Sequence, residues 1–227
     1  MAIIENKYRI GVKYVNQNRL LTLRGIILLL EDLACRHSDV VGFGINDTFK
    51  TNLSWVLLNW KIKILKEANY GSTVTVKTWS RDTNKLYTYR DFEIYDENNN
   101  LICIASSKWV LLSTKTGHIT QITDEIRNAY NPENKTVFEE PEISKLIEPS
   151  NANETFSVNR RDIDINNHMN NLYYLDYALE ALPEDVYLKK FKNVEITYKN
   201  SSKLGDIVNC FYKEQEDGYY VVMKSET

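Results

Sequence analysis

The chain has 227 residues, 43% of them hydrophobic, enough for one large domain or two small ones with a real core. A formal charge of −3 gives no global footprint for nucleic acid or an anionic membrane, which leaves only local basic patches to consider. No run of about 18 apolar residues is present to span a bilayer, and the opening Met-Ala-Ile-Ile-Glu-Asn-Lys lacks the regions of a signal peptide, so a cytoplasmic location is expected.

Fifteen tyrosines and four tryptophans beside eight glycines indicate a sheet-rich protein. A strand is expected near Tyr8–Val15, then a buried helix near Thr22–Val40, where Leu23, Ile26, Ile27, Leu30, Leu33 and Ala34 cover much of the circumference. Strand-like runs follow at Leu53–Leu65, Thr73–Arg81, Leu86–Tyr95 and Leu101–Ser113, with turn signals at Asn69–Gly71, Asn84 and Asn98–Asn100. One helix inside antiparallel strands is a hotdog-like layout. Pro132, Pro141 and Pro149, with Glu133, Glu139, Glu140, Glu142 and Glu148, read as an acidic extended linker. The expected division is a first domain over 1–131, a linker over 132–150 and a second domain over 151–227.

The second domain repeats the order, with a strand near Glu154–Asn159, a loop, a helix near Asn170–Leu182, and strands near Lys192–Lys199, Asp206–Lys213 and Tyr219–Lys224. Ile62–Lys66 precedes Gly71 much as Glu195–Lys199 precedes Gly205, which suggests an internal duplication. Nothing after Thr227 matches Leu101–Ser113, so the second copy is one strand short. An open edge is expected beside Tyr219–Lys224, available to the first domain or to a second copy in a homodimer.

The chemistry concentrates in Asp164-Ile-Asn-Asn-His-Met-Asn-Asn171. In an extended segment alternate side chains share a side, so Asp162, Asp164, Asn166 and His168 can converge while Ile163 and Ile165 point into the core. Leu172, Leu175, Leu179 and Leu182 give the following helix an apolar stripe. Asn170 or Asn171 can cap its N-terminus, where free N–H groups suit an oxyanion. Asp162 is as readily a solvated loop residue as a group that tunes local charge.

Asp-x-Asn-x-His-x-Asn-Asn running into a Tyr-rich helix resembles the acyl-acyl carrier protein (acyl-ACP) thioesterases. Asn52-Leu-Ser-Trp-Val56, Gly71-Ser-Thr-Val-Thr-Val-Lys-Thr-Trp79 and Ala105-Ser-Ser-Lys-Trp-Val110 look like landmarks of that family's N-terminal half, in the same order. The resemblance runs from about Tyr8 to Val222. It implies an α+β fold of tandem hotdog domains, with the acyl chain bound by the first, and release of fatty acid from its carrier. It also implies that Asp164, Asn166 and His168 are catalytic: Asp164 as base or nucleophile, Asn166 on substrate oxygen, and His168 orienting water, stabilising charge or protonating the thiolate.

One segment departs from the pattern. The family's Tyr-Arg-Arg-Glu-Cys aligns with Tyr198-Lys-Asn-Ser-Ser202, so Ser201 stands for the Glu and Ser202 for a once-proposed nucleophilic Cys. Asn200, Ser201 or Ser202 is then expected to hold water in the Glu's place. Cys35, Cys103 and Cys210 are widely spaced and read as buried thiols, Cys210 as a packed one.

The other candidates have bland readings. His118 belongs to a hairpin turn, and His37 to a helix end where an imidazolium suits the dipole. Trp55, Trp60, Trp79 and Trp109 are core or sheet-face residues, some of them candidates to line an acyl tunnel. Arg160, Arg161, Lys189, Lys190 and Lys192 read as solvated surface, or as a landing site for an acidic acyl carrier. No metal or organic cofactor is implied. An acyl-CoA thioesterase, a non-catalytic acyl-binding module and a dehydratase are the alternatives.

Overall fold

The structure is a computed structural model that describes residues 2–81, 84–139 and 152–226. It divides into two units, Met1–Ile143 with Phe191–Thr197, and Ser144–Lys190 with Tyr198–Thr227. The first unit contains β1 (Ile3–Arg9), α1 (Leu23–Val40), α2 (Thr48–Thr51), β2 (Leu53–Ile64), β3 (Thr73–Ser80), β4 (Tyr87–Tyr95), β5 (Leu101–Ser113), β6 (Ile119–Thr120) and α3 (Asp124–Tyr130). The second contains β7 (Glu154–Ser157), α4 (Asn171–Glu180) and α5 (Glu184–Tyr187), after which β8 (Asn193–Thr197) returns to the first unit; β9 (Ile207–Gln215) and β10 (Gly218–Ser225) complete the second.

The first unit's antiparallel sheet runs β1-β3-β4-β5-β2-β8, with β6 on β5. Four expected strand runs therefore form within a residue or two of their places. The expected strand at Tyr8–Val15 does not. β1 ends at Arg9, and Val12–Tyr14 is a single 3₁₀ turn. α1 packs against β1 and β3, burying Ile26, Ile27, Leu29, Leu30, Leu33 and Ala34. Thr22 caps it by accepting from the N–H of Gly25 at 2.9 Å. A Cβ at Gly25 would meet the carbonyl oxygen of Tyr14 at 2.4 Å, so this helix start requires glycine.

β4 is buried on both faces, and the sequence after α3 explains why. Residues expected in the linker lie along the sheet instead: Glu133 N–H donates to Ser80 O (2.9 Å), Trp79 Nε1 to Lys135 O (2.9 Å), and Val137 N–H to Asp91 Oδ2 (3.0 Å). Lys135 pairs with Glu93 at 2.6 Å. Asp91 is fully buried, and Ser106 supplies its other oxygen with a 2.6 Å bond. The rest of the expected linker, from residue 140 to 150, lies outside the described residues.

β8 corrects a second boundary. The strand expected in the second domain pairs antiparallel with β2, Lys61 opposite Glu195 with their charges 3.5 Å apart. The second unit keeps a three-stranded sheet, β10-β9-β7, in which β10 pairs on one side only among the described strands. The face of α4 packed on this sheet carries Tyr173, Tyr177 and Ala181, clustered with Val158, Met169, Val208 and Cys210. Tyr177 stacks on Phe156 with centroids 4.7 Å apart. The expected leucine stripe is not that face, although Leu172 and Leu175 are buried. Antiparallel strands laid over a central helix give the hotdog fold. No described helix is long and apolar enough to cross a membrane.

Candidate active site

The Asp-Asn-His segment is a closed loop, not an extended strand. Ile163 and Met169 bridge its base, Asp164 N–H donates to His168 O (2.8 Å), and Asn167 takes the left-handed conformation at φ 60°. Asn tolerates that region well. Asp164 organises the turn: its Oδ1 accepts from the N–H groups of Asn166 (2.8 Å) and His168 (3.1 Å). Among the described residues its Oδ2 receives only the Asn166 amide, at 3.3 Å. Asp164 and His168 are half-buried and Asn166 is exposed, while the His168 ring has no hydrogen bond among the described residues. The three expected catalytic residues therefore share one turn. Closure also turns Ile165 outward to 71% exposure, against the expectation that it enters the core; Ile163 does pack there.

Asn170, rather than Asn171, caps α4. Its side chain accepts from Leu172 N–H at 2.9 Å and its carbonyl from Tyr173 N–H at 3.0 Å. Of the first-turn amides, only that of Asn171 is left without an acceptor among the described residues, so the helix end offers an oxyanion one N–H. Asp162 is not a solvated loop residue. It is fully buried, and its Oδ2 accepts from Asn159 N–H (2.7 Å) and Tyr177 OH (2.6 Å).

Ser202 is buried and tied by its backbone, donating to Tyr174 OH (2.7 Å) and accepting from Met169 N–H (2.8 Å), one residue from His168. Ser201 and Asn200 are exposed beside it. Cys210 is fully enclosed, and burial pushes its thiol up to about 12, so it cannot stand in as a thiolate nucleophile. Burial likewise raises Cys103 to about 12, whereas Cys35 lies at the surface of α1, against expectation. Of the basic residues, Arg160 and Arg161 line a shallow cleft with Val158, Asn159 and Leu204, and Arg161 Nε lies 3.5 Å from Asp162 Oδ1. Lys189 donates to Tyr219 OH, while Lys192 falls in the first unit.

In the first unit, His118 is exposed in its turn. His37 does lie in the last turn of α1, as expected, but not as an imidazolium. It is fully buried, with Nδ1 2.9 Å from Arg90 Nη1. Trp60 and Trp79 are fully buried core residues.

A second loop of the same construction went unnoticed in the sequence. In Val15–Thr22, Asn16 Oδ1 accepts from the N–H groups of Asn18 (3.0 Å) and Leu20 (3.2 Å), Asn16 N–H donates to Leu20 O (3.0 Å), and Arg19 sits at φ 63°. Val15 and Leu21 bridge the base, and Thr22 caps the helix that follows. Even the neighbouring turns repeat: Gly71 N–H donates to Ile10 O and Gly205 N–H to Val158 O, at φ 89° and 88°. Asn16 thus stands where Asp164 does, Asn18 where Asn166 does, and Leu20 where His168 does. The shared spacing of Asn16-Gln-Asn18 and Asp164-Ile-Asn166, an Asn or Asp two residues before an Asn, was the available signal. The first unit's loop has the scaffold without the carboxylate or the imidazole.

Family models match in two blocks, the acyl-ACP thioesterase N-terminal domain over residues 2–130 and its C-terminal domain over 145–226. The chain is 29% identical over 226 residues to oleoyl-acyl carrier protein thioesterase 2, chloroplastic, of Arabidopsis thaliana, covering 91% of this chain and 60% of that protein. With the oleoyl-acyl carrier protein thioesterase of Coriandrum sativum it shares 27% identity, covering 96% and 63%. It therefore spans somewhat under two thirds of these relatives' length. The structure of an acyl-ACP thioesterase from Bacteroides thetaiotaomicron matches with a TM-score of 0.89 at 25% identity, covering 99% of this chain and 92% of that one. The 12:0-ACP thioesterase from Umbellularia californica shares the fold at 0.87, with 19% identity and coverage of 99% and 92%. The chain, with its paired helix-and-sheet units and its Asp-Asn-His turn, belongs to the acyl-ACP thioesterase family.

Proposed function

We propose that this chain hydrolyses the thioester of fatty acyl-ACP, releasing free fatty acid and the carrier's thiol. The observation that carries the reading is the turn of Asp164, Asn166 and His168 in a member of this family. Oδ1 of Asp164 is engaged by two backbone N–H groups, so Oδ2 is the oxygen with lone pairs to activate water or attack the carbonyl carbon. Asn166 Nδ2 and the N–H of Asn171 are the donors for the developing oxyanion. The unengaged ring of His168 carries a proton to the leaving thiolate. Ser201 stands for the family's Glu and, with Asn200, holds water there, while Ser202 acts through its backbone anchor on Met169.

The first unit binds the acyl tail, and the acidic carrier lands on basic residues of the second unit, Arg160, Arg161, Lys189 and Lys190. Turnover of purified chain on an acyl-ACP length series, beside matched acyl-CoA, tests the reading. Faster hydrolysis of acyl-CoA would assign the other carrier. A second reading, acyl binding without turnover, is favoured by the Ser at position 201. Retention of a fatty acyl chain with no hydrolysis on either carrier would establish it.

A further inference from the structure

The silent loop of the first unit separates what the turn needs to fold from what the active copy adds. Both loops close with the same backbone bond across the helix cap, Thr22 N–H to Tyr14 O (2.9 Å) and Asn170 N–H to Asp162 O (2.7 Å). In the silent copy, Tyr14 occupies the place of Asp162 and Leu29 that of Tyr177, so neither the carboxylate nor the phenol is required for closure. Their presence in the active copy has a cost. Asp162 is fully buried, and its Oδ1 has no hydrogen bond among the described residues, with Arg161 Nε at 3.5 Å. Burying a carboxyl oxygen without a hydrogen bond is unfavourable.

What the pair adds is a fixed relation between loop and helix. Asp162 Oδ2 joins the turn before the loop, through Asn159 N–H, to the body of α4, through Tyr177 OH. The Asp162 carbonyl meanwhile holds the cap residue Asn170. Burial and the bond to Asp162 push the Tyr177 phenol up to about 12, so it remains a donor at neutral pH. Catalytic groups held within a fraction of an ångström gain most from such support, since a displacement of about 1 Å can cost a hundredfold in rate.

We propose that Asp162 and Tyr177 are positioning residues for the catalytic turn: their buried hydrogen bond sets the angle at which Asp164 and His168 leave α4. This rests on the hydrolase reading above. Tyr177→Phe removes one oxygen and keeps the ring stacked on Phe156. It should lower kcat about tenfold with KM within about twofold, and Asp162→Leu should do the same. Asp162→Asn keeps an acceptor for both donors and should stay within about threefold of wild type. Amide hydrogen exchange at Asn166 and His168 should accelerate in Tyr177→Phe, while that at Asn18 and Leu20 stays as it was. Unchanged kcat and exchange in Tyr177→Phe would overturn the proposal. So would an Asp162→Asn loss as deep as that of Asp162→Leu, because the charge rather than the hydrogen bonds would then be active. If wild type turns over no thioester, the hydrolase reading fails and the exchange experiment decides this proposal alone.

Discussion

Nη1 of Arg90, on β4, lies 2.9 Å from Nδ1 of His37, on α1, with both side chains buried. A guanidinium can only donate, so Nδ1 of His37 is the accepting nitrogen. Thr78 Oγ1 at 3.3 Å and the face of Tyr130 at 5.6 Å complete the surroundings, with no carboxylate paired to Arg90 among the described residues. Burial accordingly lowers the Arg90 pKa.

That arrangement predicts an asymmetry between the two partners. His37→Leu takes from a buried cation the nearer of the two acceptors of Nη1 and should cost about 2–4 kcal/mol. Arg90→Met removes the charge with its desolvation and should cost less than about 1 kcal/mol or stabilise. Urea unfolding of the two variants checks this, and equal losses would count against it.

Glu31 gives a pH dependence of known sign. Burial raises its pKa from 4.5 to about 7, against a lowering influence from Arg24. Between those values the folded chain binds a proton that the unfolded chain has released, so this contribution to stability is present below about pH 4.5 and lost as pH rises to 7. Glu31→Gln removes the effect. Relative to wild type, the variant should gain about 1–3 kcal/mol between pH 5 and 7.5, read from paired unfolding curves. A constant difference across that range would contradict the assignment.

The twin loop makes Asp164→Asn informative. Asn16 builds the same turn with the same two acceptor bonds, so the substitution should leave the melting temperature within about 2 °C. It removes the proposed base, however, and should lower kcat at least about a hundredfold, as should His168→Ala. Wild-type rates in both variants would remove these residues from the reaction.

Ser201→Glu introduces, at an exposed position, the carboxylate that the resemblance to the family implies there. The fold should accept it, and kcat on acyl-ACP should rise about tenfold or more if the carboxylate orients water. Unchanged kinetics in a folded variant would mean that the site does without that acid.

The strands β2 to β5, the helices α1 and α4 and the Asp-Asn-His motif were legible in the sequence, because each rests on local signals of periodicity, turn residues and caps. α3 could have been read from Thr123, which caps it by accepting from Ile126 N–H, with Asp124 and Glu125 in its first turn. Tertiary structure decided what depends on distant partners. β8 was recognisable as a strand, but only hydrogen bonds across about 130 residues of chain assign it to β2. The exposed Ile165 and the buried Asp162 follow from the turn closing on Met169 and from Tyr177 arriving one helical turn and more into α4. Side-chain alternation holds only while the backbone stays extended, so once Asp164 bends the chain, the direction of every following residue is set by the loop's own hydrogen bonds.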